Sequence, residues 1–202
     1  VANLRAAQKE MTRGLLLSTA LELFEAQGYA ATKIDDIARA AGTTRVTFYA
    51  HFSGRSDLMR ALIARLNELL ERSDDAGHHS TSDALVAAVR EGERAGLDAW
   101  LRAQSARWPE IRPYVLSAFE AAAVDPELRG LVYQWFEEVI DDIERGLTEA
   151  GRFAPDSRRA RGVLAMAQLD HLAQRWMRHG WDIDGDQALA LLADSWAHLL
   201  AD

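Results

Sequence analysis

At 202 residues and 49% hydrophobic content, the chain is long enough to bury one large core or two small ones. It has no cysteine, so disulfide frameworks, thiolate metal sites and thiol nucleophiles are excluded. No apolar run reaches the roughly 20 residues of a spanning helix, and the polar stretch 1–11 lacks the apolar centre of a signal peptide, so a cytoplasmic protein with no membrane attachment is expected.

The net charge of −8 argues against a nucleic-acid partner until its distribution is considered. Residues 1–55 hold seven basic side chains against five acidic, whereas residues 56–202 hold 16 against 26. That asymmetry describes a small basic module on an acidic body. The boundaries expected are 1–55 for the module and 56–202 for the body.

There are only four prolines and almost no β-branched alternation, so the pattern is all-α. A first helix is predicted over 5–27, with Leu16, Ala20, Leu23, Phe24 and Gln27 on one face and Gly28 as its stop. Thr32 is expected to cap a short helix at 33–40. Gly42 breaks it, Thr44 opens another at 45–51, and Ser53 or Gly54 begins a long helix to about residue 74. The polar stretch 75–82, with His78 and His79, reads as a loop and domain boundary.

Five more helices are predicted beyond it. The first spans about 83–105 and the second 110–123, with Pro109 at the break between them. The third begins at Pro126 behind an Asp125 cap and stops at Gly151. The fourth follows Pro155 and ends at Gly180, and the last runs over 186–200 behind Asp184. Gly92 and Gly96 fall inside the first of these, where each costs about 1 kcal/mol relative to alanine. Either close helix packing or free volume for a ligand would offset that.

The segment from Thr32 to Phe52 has the parts of a helix-turn-helix. Ile34 and Ile37 supply the buried face of its first helix, Ala38 the small contact residue, Gly42 the turn, and Phe48 and Phe52 the anchors of the second helix. The other face of that second helix presents Thr44, Arg45, Thr47, Tyr49 and His51, which donate hydrogen bonds and include no acid. A major groove would meet that face.

The run Thr32-X-Ile34-X-X-Ile37-Ala38-X-X-Ala41-Gly42, then Thr47-Phe48-Tyr49-X-His51-Phe52, then Arg55 and Leu58, resembles the tetracycline-repressor (TetR) family of regulators. The preceding helix, with Ala20, Leu23, Phe24 and Gly28-Tyr29, matches as well. The resemblance covers about 50 residues. It implies a three-helix DNA-binding head and a helical ligand-binding and dimerisation body, about nine helices in all. It also implies a homodimer on a palindromic operator, acting as a repressor and released by a small apolar or aromatic effector.

Thr43 departs from the family pattern, where an aliphatic residue is common. So does Val46, where a small residue is usual; Val46 either touches a thymine methyl or is half-buried filler.

Arg45 is the expected reader of guanine O6 and N7, and Thr44 reads an adjacent base. Thr47, Tyr49 and His51 match family positions that touch phosphates, as do Thr32 and Lys33, and Arg55 is expected to clamp a backbone phosphate. In the body, all six tryptophans lie beyond residue 99. Trp100, Arg107, Trp108, Tyr114, Phe119, Gln134, Trp135, His171 and Gln174 are the candidates for an effector pocket. Leu164, Leu172, Leu192, Trp196 and Leu199 are the candidates for the dimer interface.

No cofactor and no metal site is expected. The acidic run Glu137, Glu138, Asp141 and Asp142, with Asp170 and His171, has no Glu-X-X-His helix motif and reads as a solvated face. No nucleophile elbow or phosphate loop occurs. The competing function is a small-molecule carrier, or an enzyme, with a vestigial DNA-binding head.

Overall fold

The computed structural model describes residues 2–70 and 83–201. The expected loop at 75–82 and the end of the long helix before it lie outside the described residues. Among those described there are nine helices and no strand: α1 (Ala2–Gln27), α2 (Ile34–Ala40), α3 (Arg45–Tyr49), α4 (Arg55–Leu69), α5 (Asp83–Glu91), α6 (Arg94–Val124), α7 (Pro126–Glu149), α8 (Pro155–His179) and α9 (Gly185–Leu200).

The helices form two compact units, one of Val1–Leu69 with Ile111–Val132, the other of Leu70–Glu110 with Tyr133–Asp202. This division differs from a boundary after residue 55, because the second half of α6 and the start of α7 group with the head.

In the first unit, Leu16, Ala20 and Phe24 of α1, Ile37 of α2, Phe48 of α3 and Leu58, Met59, Leu62 and Leu66 of α4 are buried. Along α1 and α4 these residues recur three or four positions apart, the arrangement that gives a helix one apolar face to bury. Ile111, Val115, Ala118 and Ala121 of α6 and Leu128 and Val132 of α7 are buried as well. Polar ties in this unit link residues far apart in the chain. Glu120 accepts the backbone N–H of Tyr29 at 2.8 Å, Arg112 pairs with Glu25 at 2.6 Å, and the Ser56 hydroxyl donates to Asp125 at 2.5 Å.

In the second unit, Trp100 and Trp196 stack with ring centres 5.7 Å apart, and Trp108 meets Trp176 and Trp181, each at 5.7 Å. Ring pairs at such spacings contribute beyond the area they bury. Two glycines permit close approach. A Cβ on Gly146 would lie 2.8 Å from Val89 Cβ and 2.9 Å from the Val86 carbonyl oxygen, and one on Gly162 would lie 3.1 Å from the Ile140 carbonyl oxygen.

Two expectations are corrected. The helix predicted over 83–105 is broken at Gly92, whose φ of +71° ends α5. The Arg152 guanidinium lies where a side chain at 92 would be and donates to the Val89 and Glu91 carbonyls at 2.7 and 2.9 Å. The cost assigned to a mid-helix Gly92 therefore disappears, since it is a helix stop whose carbonyls an arginine satisfies.

Conversely, no break occurs at Pro109, and α6 continues through both Pro109 and Pro113. Each proline removes one i→i−4 bond. The buried stripe Leu97, Trp100, Leu101, Trp108, Ile111, Val115 and Ala118 nevertheless runs on at helical spacing. Burial of that stripe outweighs two missing hydrogen bonds.

Candidate nucleic-acid interface

The turn between α2 and α3 is fixed by backbone chemistry. Ala41 caps α2, Gly42 takes φ +65°, the Gly42 N–H donates to the Arg39 carbonyl at 3.1 Å, and the Thr43 N–H donates to the Ala38 carbonyl at 2.9 Å. This is the paired closure of a Schellman motif, which needs a residue tolerant of the left-handed region at the Gly42 position. Thr44 then caps α3, its Oγ1 accepting from the Thr47 N–H at 3.1 Å. Phe48 is fully buried and lies 5.8 Å from Phe52, so α3 is anchored by one face.

The opposite face is open. Thr44, Arg45 and Tyr49 are exposed, Thr47 is partly covered, and Val46 is 81% exposed. That exposure removes the filler alternative for Val46, whose methyl groups project into solvent.

Arg45 is braced. Its Nη1 donates to Asp35 Oδ2 of α2 at 3.3 Å, its Nη2 donates to the Tyr49 hydroxyl at 3.4 Å, and its Cζ stands 5.6 Å from the Tyr49 ring centre. The Tyr49 hydrogen bond first, and the Asp35 charge second, raise the guanidinium above its ordinary pKa. Sequence reasoning passed over Asp35, because nothing in a one-dimensional pattern places the first turn of α2 beside the first turn of α3.

Four residues predicted to face phosphates, Lys33, Thr32, Arg55 and His51, are placed differently from one another. Lys33 is exposed and is itself the N-cap of α2, without a side-chain capping bond. Thr32, expected to be that cap, is fully buried, and its hydroxyl donates to the Gly28 carbonyl at 2.8 Å. The correction has a simple cause: the hydroxyl closes the 28–32 corner and cannot also reach the helix start.

Arg55 is half-buried. Its Nη1 donates to the Tyr29, Ala30 and Thr32 carbonyls at 2.8, 3.2 and 2.7 Å, and its guanidinium stacks 4.2 Å from the Tyr29 ring centre. It ties the α1–α2 corner to the start of α4, a role the sequence did not signal. His51 is half-buried with Nδ1 enclosed and unpartnered, so Nε2 is its edge left to meet a phosphate.

Thr32, Lys33, Ile34, Asp35, Arg45 and Arg55 together line a shallow open recess of about 440 Å³. Three cations and one carboxylate border it, a setting suited to an anionic oxygen that stays partly hydrated.

The residues expected to line an effector pocket are distributed over both units. Tyr114 and Phe119 belong to the first unit; Trp100, Arg107, Trp108, Gln134, Trp135, His171 and Gln174 belong to the second. His171 is exposed, and the Gln174 carboxamide is turned onto Asp170 at 2.7 and 2.9 Å. Among the expected interface residues, Leu164 is 55% exposed and Leu172 and Leu199 are partly covered. Leu192 and Trp196 are buried within the chain's own core, because Trp196 faces Trp100. In the acidic run, Arg159 binds Asp141 at 2.8 Å and also pairs with Glu137, and Arg145 pairs with Asp142 at 3.2 Å.

The family of bacterial regulatory proteins named for tetR has a sequence model that matches residues 16–62. The HTH-type transcriptional regulator TtgW of Pseudomonas putida, itself uncharacterised, is 35% identical over 116 residues, taking in 56% of this chain and 81% of that protein. The regulator SrpR of Pseudomonas putida is 36% identical over 116 residues, and the matched stretch spans about half of its length, 51%. The chain's fold is similar to that of NalD, the secondary repressor of the MexAB-OprM multidrug efflux pump in Pseudomonas aeruginosa, with a TM-score of 0.68 at 22% identity over 95% of this chain and 97% of that one. A helix-turn-helix closed at Gly42, a tetR-type head over residues 16–62 and a relative 35% identical across most of its length agree: the chain belongs to the TetR family of transcriptional regulators.

Proposed function

We propose that this chain is a ligand-responsive repressor that binds a palindromic operator as a homodimer and is released by a small apolar or aromatic molecule. The observation that carries the reading is the exposed face of α3, where Thr44, Arg45, Val46 and Tyr49 project from a helix anchored by Phe48. Arg45 reads a guanine, Val46 meets a thymine methyl, and Thr44 contacts a neighbouring base. Lys33, Thr47, Tyr49 and the Nε2 edge of His51 hold phosphates, joined by Arg55 at the recess and by the backbone beside Thr32.

The homodimer is supported by exposed apolar side chains on the last two helices, Val163 at 45%, Leu164 at 55% and Leu191 at 61% exposure, which a second copy of the chain would cover. Two heads are also what a palindrome requires, with half-sites about 34 Å apart.

Repression is supported by the likeness to NalD, a repressor of a multidrug efflux pump, and release by an apolar effector by the aromatic content of the body. Helix α6 carries Trp100 near its start, Trp108 at its middle and Glu120, bonded to the Tyr29 N–H, near its end. A molecule that favours one position of α6 would shift the head population by its differential affinity for the two states.

Selection of bound duplexes from a random pool tests the reading. An inverted repeat with half-sites one turn apart is expected, and a selected pool with no shared sequence would refute it. Leu164→Glu with Leu191→Glu should convert a sedimenting dimer to a monomer and abolish retention of the selected duplex.

A further inference from the structure

We infer that Asp35 is a specificity-determining residue: its carboxylate, with the Tyr49 hydroxyl, holds the Arg45 guanidinium in the orientation that reads a base. The inference rests on the reading of Arg45 given above and extends it to a residue that touches no base.

The geometry is specific. Asp35 Oδ2 takes Nη1 of Arg45 and the Tyr49 hydroxyl takes Nη2, at 3.3 and 3.4 Å, so the two ends of the guanidinium fork are held by two helices. Each terminal nitrogen has two N–H groups and spends one, so one on each remains for a bidentate acceptor such as guanine O6 and N7. An arginine left free on a recognition helix loses rotamer entropy on binding, and bracing it beforehand removes part of that cost.

Stability does not explain Asp35. The pair is open to water, with the Arg45 and Asp35 side chains 60% and 57% exposed, and such a pair contributes little to folding. A carboxylate bordering the recess with Lys33 and Arg55 would also repel phosphates. Its neighbour Asp36 differs, because it pairs with Arg39 on its own helix and does not reach α3. The two acids carry the same charge one residue apart, and this makes Asp36 an internal control.

The test uses the full chain and the duplex it selects from a random pool, together with that duplex substituted one base pair at a time and an unselected duplex of equal length. Arg45→Ala is expected to lower discrimination at one base pair about ten-fold. Asp35→Asn is expected to lower discrimination at that same pair several-fold while raising binding to the unselected duplex, since a negative charge is removed. Tyr49→Phe should lower it in the same direction. Asp36→Asn should raise unselected binding and leave the discrimination intact, and thermal melting of each variant reports that the head is folded.

If Asp35→Asn raises binding to every duplex alike, as Asp36→Asn does, Asp35 is a repulsive charge only and the inference is overturned. If Arg45→Ala itself leaves every base preference unchanged, the reading of Arg45 fails first, and the failure is distinguishable because it appears in the parent variant.

Discussion

Arg55 offers the sharpest check on how the head is built. The sequence places it as a phosphate clamp, whereas the structure spends Nη1 on three carbonyls of the 29–32 corner and the guanidinium plane on Tyr29. A hydrogen bond to a charged group contributes about 1.5–3 kcal/mol, and one nitrogen with two hydrogens serves about two of the three acceptors well. The corner is half-buried, so water replaces part of what is lost; the cation–π contact adds about 0.5–1 kcal/mol. Arg55→Ala should therefore destabilise the chain by about 3 kcal/mol, which for a protein of this size lowers Tm by about 6–12 °C. Arg55→Lys keeps the charge and lacks the planar fork, so it should recover less than half. Urea unfolding followed by far-UV circular dichroism measures both. If Arg55→Ala unfolds within about 0.5 kcal/mol of the parent, the corner does not depend on this guanidinium and the reasoning is wrong.

Gly146→Ala should destabilise by up to about 2 kcal/mol in urea unfolding, because overpacking against Val89 costs about 1–3 kcal/mol and the helix gains about 1; adding Val89→Ala should relieve the overlap. Gly92→Ala meets the Arg152 guanidinium and a φ of +71°, so it should cost more than Gly151→Ala, which shares the positive φ but has open space beside it; melting temperatures compare the two. Thr44→Ala removes the cap of α3 and should cost about 1 kcal/mol, with weaker binding to the selected duplex. Asp125 is held below its ordinary pKa, chiefly by the Ser56 hydroxyl. A depressed carboxylate contributes stability that is present above the unfolded value near 3.8 and lost as pH falls through the lower folded value. Ser56→Ala should therefore move the acid-unfolding midpoint upward, read by intrinsic tryptophan fluorescence.

Much of this molecule is legible in one dimension. The caps Thr44 and Asp184 and the stops Gly28, Gly42 and Gly180 fall where the sequence puts them, because capping depends on residues three or four apart. Thr32 and Gly92 are less legible, for two different reasons. The Thr32 hydroxyl has two local options and turns back four residues to the Gly28 carbonyl instead of forward to the helix start, whereas the role of Gly92 depends on Arg152, far away in the chain. Pro109 illustrates a conflict between two local signals. A proline predicts a break, but Trp108, Ile111 and Val115 keep the helical period across it, and the period prevailed. The candidate reading surface was recognisable from Thr44 to His51, since side-chain chemistry on one short helix face is a local property. Asp35 and the structural use of Arg55 were not, since both are contacts between elements.

Tyr29 shows why the head cannot be understood from its own three helices. Its ring packs on Phe24 at 5.1 Å and lies under the Arg55 guanidinium, its carbonyl receives Arg55 Nη1, and its N–H donates to Glu120 of α6. It is 1% exposed. An unpaired amide in such a place costs about 1–3 kcal/mol, comparable to the cap of the recognition helix itself. Thr32 and Lys33, which lead into α2, follow Tyr29 within four positions, and Thr32 is tied to Gly28 on its other side. The orientation of α2, and through the Gly42 turn that of α3, thus depends on a carboxylate 91 residues away in sequence. Glu120 acts on the reading surface by satisfying one backbone donor at the corner from which that surface is hung.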